Sequence, residues 1–262
     1  MSCPTKSPPR QVLFTNCAAP VPILTYHQIQ APPPRGTPYR SLNVAPEVFR
    51  RHMRWLAALG YRGLSMRDLM PYLSGERTGK VFGLTFDDGF QNVLIHAQPV
   101  LQDLGYTATN YVVAGHPGRW NFWDADKGVP VSRLMNRHEI VEWANAGNEI
   151  GAHTVDHADL SRLAHGIAHA QIWRSRVLLE DLIGRSVEAF SYPYGAYWIE
   201  HVEMGRLAGF TSATTTNRGR VRTGMDFWQL PRISVSRSTN FLLLAQKLFT
   251  AYEDRRRGVR RR

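Results

Sequence analysis

The chain has 262 residues, 43% of them hydrophobic and 20% charged, which is enough apolar material for one large α/β domain with a real core. Its net charge is +11, but six arginines lie in the last eight residues, RRRGVRRR, and setting these aside leaves 26 basic against 21 acidic residues, a net +5. No apolar run reaches the ~18 residues of a membrane-crossing helix, and Cys3 and Cys17 both fall in the first segment, which leaves the fold without a disulfide framework. That segment, MSCPTKSPPRQVLFTNCAAP, has no apolar stretch of signal-peptide length. The expectation is a cytoplasmic chain as written, or a periplasmic or extracellular one if the natural start lies elsewhere.

Residues 1–19 read as an irregular arm rich in Pro, Ser and Thr, residues 20–250 as the folded domain, and residues 251–262 as a basic tail. Within the domain, short apolar runs rich in β-branched and aromatic residues read as strands: 21–27, 81–87, 107–113, 148–154, 188–194, 210–216 and 228–235. Residues 30–40, QAPPPRGTPYR, are a proline-rich loop. A helix is expected over 46–59, with Phe49, Met53, Leu56 and Leu59 on one face. Further helices are expected over 91–104, 138–146 and 161–183. Gly60, Gly105, Gly147, Gly184 and Gly209 stand where helices should stop, each just before a strand. Seven strands alternating with helices, with no linker through the middle, predict a distorted, seven-stranded (β/α) barrel. In such barrels the site lies at the C-terminal ends of the strands.

Three stretches at those ends carry chemistry. In TFDDG, residues 85–89, two adjacent carboxylates close an apolar strand, although neighbours on a strand should face opposite ways. Gly89 allows a tight turn that swings the second acid toward the barrel mouth; a lone Asp-Asp-Gly serves equally as a turn with a helix cap. In GAHTVDH, residues 151–157, His153 and His157 are four apart, which on a helix or tight turn brings both imidazoles to one ion. In FSYPYG, residues 190–195, the rigid Pro193 precedes Tyr194 and a permissive glycine, a turn whose backbone N–H groups can receive an oxyanion. One Asp and two His make a metal site with an open position. The other Asp is then free to take a proton from water.

TFDDG, HTVDH and SYPYG, in this order, resemble the motifs of the polysaccharide deacetylases, the chitin-deacetylase-like family 4 carbohydrate esterases. The resemblance covers about residues 22–235. It implies a distorted (β/α) barrel, a zinc ion (cobalt or nickel in some members) and hydrolysis of N-acetyl groups on a glycan, releasing acetate. Carried over, Asp87 is the base, Asp88, His153 and His157 are the metal ligands, and the Tyr194 N–H stabilises the oxyanion. Two departures stand out. Most members have Arg in the third motif where this chain has Ser191, and Arg232 in LPRIS is the expected substitute. Most also carry a C-terminal Leu-x-His acid, and here no histidine follows His201. His27, in ILTYHQI at the end of the first predicted strand, offers the replacement. An early Tyr-His ahead of the Asp-Asp motif is similar to the biofilm poly-N-acetylglucosamine deacetylase branch, whose barrel order is permuted.

Around the motifs, Trp120, Phe122 and Trp123, and separately Trp228, have the flat faces that stack on sugars, or equally cover the barrel edge. The remaining histidines, 52, 96, 116, 138, 165, 169 and 201, read as structural or surface residues. The substrate expected is an N-acetylated glycan of the N-acetylglucosamine type. The rivals are an amide hydrolase of a small or lipid-linked amino sugar and a non-catalytic carbohydrate-binding domain. The arginine tail is either solvated or an anchor for an anionic polymer or membrane surface. No aromatic-rich basic motif accompanies it to suggest specific nucleic-acid binding.

Overall fold

The structure is a computed structural model that describes residues 19–256. The arm up to residue 18, with both cysteines, and arginines 257, 260, 261 and 262 lie outside the described residues. In chain order the elements are β1 (Ile23–Tyr26), β2 (Gln28–Ile29), β3 (Asn43–Val44), α1 (Pro46–Ala58), β4 (Arg62–Leu64), α2 (Met66–Leu73), β5 (Val81–Asp88), α3 (Gln91–His96), α4 (Gln98–Leu104) and β6 (Thr109–Val112). There follow α5 (Arg137–Asn145), β7 (Glu149–Ala152), α6 (His165–Ile183), β8 (Ala189–Ser191), α7 (Ile199–Leu207), β9 (Ser212–Arg218), β10 (Leu230–Ser234) and α8 (Phe241–Phe249).

Seven parallel strands form a closed ring, β1-β5-β6-β7-β8-β9-β10, sealed where β1 pairs with both β5 and β10. These seven are the seven strands expected. The short β4 adds to the first half of β5, and β2 and β3 form a separate pair. Parallel strands need long crossovers, and the helices that supply them cover the outside of the ring.

Strand alternation sorts the core. On β5, Phe82, Leu84 and Phe86 face the helices in the outer core, with Leu24, Tyr26, Phe49 and Trp143. The inward series begins apolar low in the barrel with Ile23, Val81, Ala189 and Leu230. It becomes polar two residues on: Thr25 follows Ile23, Ser191 follows Ala189 and Arg232 follows Leu230. The barrel is thus sealed below and reactive above.

The five glycines expected at helix stops all have positive φ, from 63° to 91°, the left-handed conformation that ends a helix. Three expectations are corrected. The helix over 91–104 is two helices that meet at Ala97, because Pro99 cannot donate to the carbonyl of the turn before it. The helix expected from residue 161 begins at His165, because Asp159 caps a separate 3-10 turn. On α1 the buried face is Phe49, His52, Met53 and Leu56, while Leu59 caps the end and is exposed. His52 earns its burial by bonding to the Tyr26 hydroxyl and the Thr239 carbonyl. Two helices had not been anticipated, α2 and α8; α7, whose stop at Gly209 was expected, had been given no range. The start of the expected tail is packed structure: Glu253 is buried against Arg218 and Lys247, and Asp254 pairs with Arg220 and Arg222. Among the described residues no helix is long and apolar enough to cross a membrane.

Candidate active site

Asp87 continues the inward series of β5, two residues after Thr85, and is 4% exposed. Alternation would send Asp88 outward. Its φ of 77° breaks the alternation, so the left-handed turn begins at the acid itself and not only at Gly89. A non-glycine residue held there costs about 1–3 kcal/mol and persists where the surroundings require it. The reoriented Asp88 Oδ1 lies 3.2 Å from His157 Nε2 and 3.5 Å from His153 Nε2.

Both histidines hang from the turn after β7, where Thr154 and His157 also have positive φ, 62° and 56°. The i, i+4 spacing is therefore realised by a tight turn and not by a helix. His153 Nδ1 meets the Ser191 carbonyl at 2.7 Å, which fixes its tautomer and leaves Nε2 bare. Burial first, and the neighbouring His157 second, push the His153 pKa down to about 4, so the imidazole is neutral at pH 7. One oxygen and two nitrogens converge within 4.8 Å of one another, all from buried residues. Asp88 Oδ1 is buried without a hydrogen-bond partner among the described residues. An N₂O donor set with a lone oxygen aimed into it fits a divalent ion such as zinc.

Arg232 holds the other acid. Its two terminal nitrogens each donate to one Asp87 oxygen at 2.7 Å, and it is itself 2% exposed. The remaining donors reach Thr85 Oγ1, Ser191 Oγ and the Thr215 carbonyl. Alternation two residues after the inward Leu230 aims the side chain into the barrel, and the register against β9 shifts between these two positions. Burial pushes the Asp87 carboxyl up, but the Arg232 charge and hydrogen bonds overrule it and hold Asp87 well below the usual carboxylate range. His27, two residues beyond Thr25 on β1, places Nε2 3.8 Å from Asp87.

The turn after β8 closes the site. Tyr194 has φ 58° and its N–H meets no backbone carbonyl among the described residues. Gly195 is required here: a Cβ would come within 1.9 Å of Thr216 Oγ1. His27, Asp87, Asp88, His153, His157, Tyr194 and Arg232 all line one cavity of about 410 Å³, walled on one side by Tyr39 and Leu42.

Residues 74–213 match the family model for polysaccharide deacetylase. The chain belongs to the polysaccharide deacetylase family. It is therefore a hydrolase acting on amide bonds. Among curated relatives, YxkH of Bacillus subtilis is 27% identical over 85% of this chain and 74% of its own length. The poly-β-1,6-N-acetyl-D-glucosamine N-deacetylase of Staphylococcus epidermidis is 22% identical over 75% of this chain and 69% of its own. The Streptococcus pyogenes deacetylase PplD, solved with acetate, superposes with a TM-score of 0.76 at 25% identity, covering 88% of this chain and 99% of that one. IcaB of Ammonifex degensii gives 0.69 at 25% identity, covering 82% and 91%.

Not every expected residue of this deacetylase reaches the cavity. Trp228 precedes β10, so it lies toward the N-terminal end of the barrel, packed beneath Arg206 and bonded to the Phe210 carbonyl. It has no face to offer a sugar in the site. Pro193 is buried and sets the turn without lining the cavity. Trp123 reaches the site but stacks on His157, with ring centroids 4.6 Å apart. Trp120 and Phe122 are exposed on the same loop. Sequence reasoning missed Asp124, which is buried and receives the Tyr194 hydroxyl at 3.1 Å and the Lys127 ammonium. Burial and Asp124 together push the Tyr194 phenol well above its usual range, which keeps it a donor. Asp124 stood inside the aromatic stretch, but nothing local marks it as buried. Arg218, fastened by Glu253, was also missed.

Proposed function

We propose that this chain is a metal-dependent N-deacetylase of an N-acetylglucosamine-type glycan. The observation that carries the reading is the division of labour between the two acids. Arg232 fastens Asp87 by a fork of two bonds, while Asp88 leaves a bare oxygen facing two imidazoles. Asp88, His153 and His157 would hold the ion. Bound there, a divalent cation supplies Lewis-acid polarisation of the acetamide and of the attacking water.

The other steps belong to side chains and backbone of this chain. Asp87 takes the proton from the attacking water, and Arg232 keeps its carboxylate oriented and ionised. The unengaged Tyr194 N–H donates to the oxygen on which negative charge develops. An amine leaves poorly unless protonated, and His27 supplies that proton. Histidine suits the role because its ring N–H can donate to a leaving amine. The name of the staphylococcal relative supports a glycan substrate, and the cavity has the size of ordinary small-ligand sites, about 300–1,000 Å³, fitting one amino sugar. The test is acetate release from N-acetylglucosamine oligomers, N-acetylated polymer and sugar nucleotides, before and after chelation and with zinc, cobalt or nickel restored. Activity that survives full chelation would refute metal dependence. Release from sugar nucleotides alone would replace the glycan by a small substrate.

A further inference from the structure

The two histidines of the triad are supported unequally. A metal-ligating histidine ordinarily donates its second ring N–H to a carboxylate, carbonyl or water, which fixes its orientation. His153 has that support from Ser191. His157 does not: its Nε2 faces Asp88, and its Nδ1 is buried with no hydrogen-bond partner among the described residues. What holds the ring is aromatic. Trp123 stacks on one face with an interplanar angle of 21°, and Tyr194 meets the ring edge-on at 78°, both at 4.6 Å between centroids. The loop that carries Trp123 is fastened by the next residue, whose carboxylate receives the Tyr194 hydroxyl. Lys127 completes the fastening, bonding Asp124 and lying 4.8 Å from the centre of the Tyr194 ring.

We propose that Trp123 is a positioning residue for the metal ligand His157, replacing the missing hydrogen bond by stacking, and that the Asp124–Tyr194 bond latches its loop to the oxyanion turn. Retention of the ion and placement of the Tyr194 N–H are then coupled through one loop, although neither Trp123 nor Asp124 touches the ion. The inference rests on the reading of Asp88, His153 and His157 as metal ligands. Physically, an imidazole with no anchored N–H is free to rotate about its side-chain bonds, and each orientation lost to the ion lowers affinity. A stacked indole removes that freedom without needing a polar partner.

The experiment is a chelator-buffered zinc titration of the full chain, with no substrate present. Trp123→Leu, which keeps apolar bulk but no ring, should bind zinc about 10–100-fold more weakly, the loss typical of a missing outer partner of a ligand. Trp123→Phe should restore most of that loss, because a ring remains to stack. Asp124→Ala and Tyr194→Phe should each weaken binding, and the double variant should lose no more than the worse of the two, because both break one latch. Long-range ¹H–¹⁵N spectra should show His157 nitrogens in one tautomer in the zinc-loaded wild type and broadened in Trp123→Leu, with His153 unchanged. A purely structural role would move His153 and the unfolding midpoint as well. Unchanged zinc affinity in Trp123→Leu, with one zinc bound per wild-type chain, overturns this inference alone. No stoichiometric uptake by the wild type, or equal uptake by His157→Ala, overturns the metal reading and this inference with it.

Discussion

Replacing Arg232 with Met isolates the physics of the site from its chemistry. The substitution nearly preserves side-chain length but leaves Asp87, 4% exposed, without its cation. Two bonds to Asp87 disappear, together with those to Thr85, Ser191 and Thr215. Removing one partner of a buried ion pair costs about 3–5 kcal/mol, chiefly because the remaining charge is uncompensated. At ~1.4 kcal/mol per pKa unit, that is a swing of roughly 2–4 units in the Asp87 carboxyl. In the wild type its folded pKa is depressed, so the pair's contribution is present above the unfolded value of about 3.9 and fades only as pH falls through the depressed folded value. Toward the upper end of that swing, with burial no longer opposed by Arg232, the expected folded pKa in Arg232→Met lies above the unfolded one. The folded variant then takes up a proton that the unfolded chain does not, and gains stability as pH falls from 7 toward about 4. Urea unfolding of both chelated proteins at pH 7, 6, 5 and 4 measures the difference. It should be about 3–5 kcal/mol at pH 7 and shrink to about 1–2 near pH 4, where lost hydrogen bonds remain. Arg232→Lys, a point charge without the fork, should fall between. A difference that stays constant from pH 7 to pH 4 would refute the claim that Asp87 is a charge held by Arg232.

Asp87→Asn should keep zinc, since Asp87 is not in the triad, and lose about 10²–10⁴-fold in kcat as the general base is removed; loss of zinc by equilibrium dialysis would exchange the roles of Asp87 and Asp88. His27→Gln should also retain zinc but lose most turnover on N-acetylated amines. It should recover much of its rate on an activated acetyl ester, whose leaving group needs less protonation, and an equal loss on both would assign His27 to positioning. Deleting residues 257–262 should leave hydrolysis of a short neutral oligosaccharide unchanged while weakening retention on anionic vesicles or polymer at low salt, an effect lost at high salt. Glu253→Gln should instead destabilise the fold by about 3 kcal/mol, because Arg218 and Lys247 lose their shared carboxylate; an unchanged unfolding midpoint would show the cluster to be solvated.

The seven strands of the ring, the glycines that stop the helices and the reactive ends of β5, β7 and β8 were all legible in the sequence. Each rests on a local signal: β-branched runs, a residue free to take positive φ, or chemistry-bearing side chains clustered where a strand runs out. His27 and Arg232 came forward through the family resemblance, as replacements for residues this chain lacks, and their strand-end positions in a closed parallel barrel pointed to one shared mouth. The structure alone decided what meets what. Arg232 and Asp87 are 145 residues apart, and only ring closure brings the fork of one to the carboxylate of the other. Asp88 turns inward because its backbone is held at positive φ, a conformation that an Asp does not advertise. Trp123 and Trp228 are the same residue type in similar aromatic company, yet one follows β6 at the mouth and the other precedes β10 at the opposite end. Asp124 is buried and Glu253 is buried because distant partners, Tyr194 and Arg218, come to them. Sequence patterns report what each segment prefers by itself; burial and pairing of charges are properties of segments that meet only when the barrel closes.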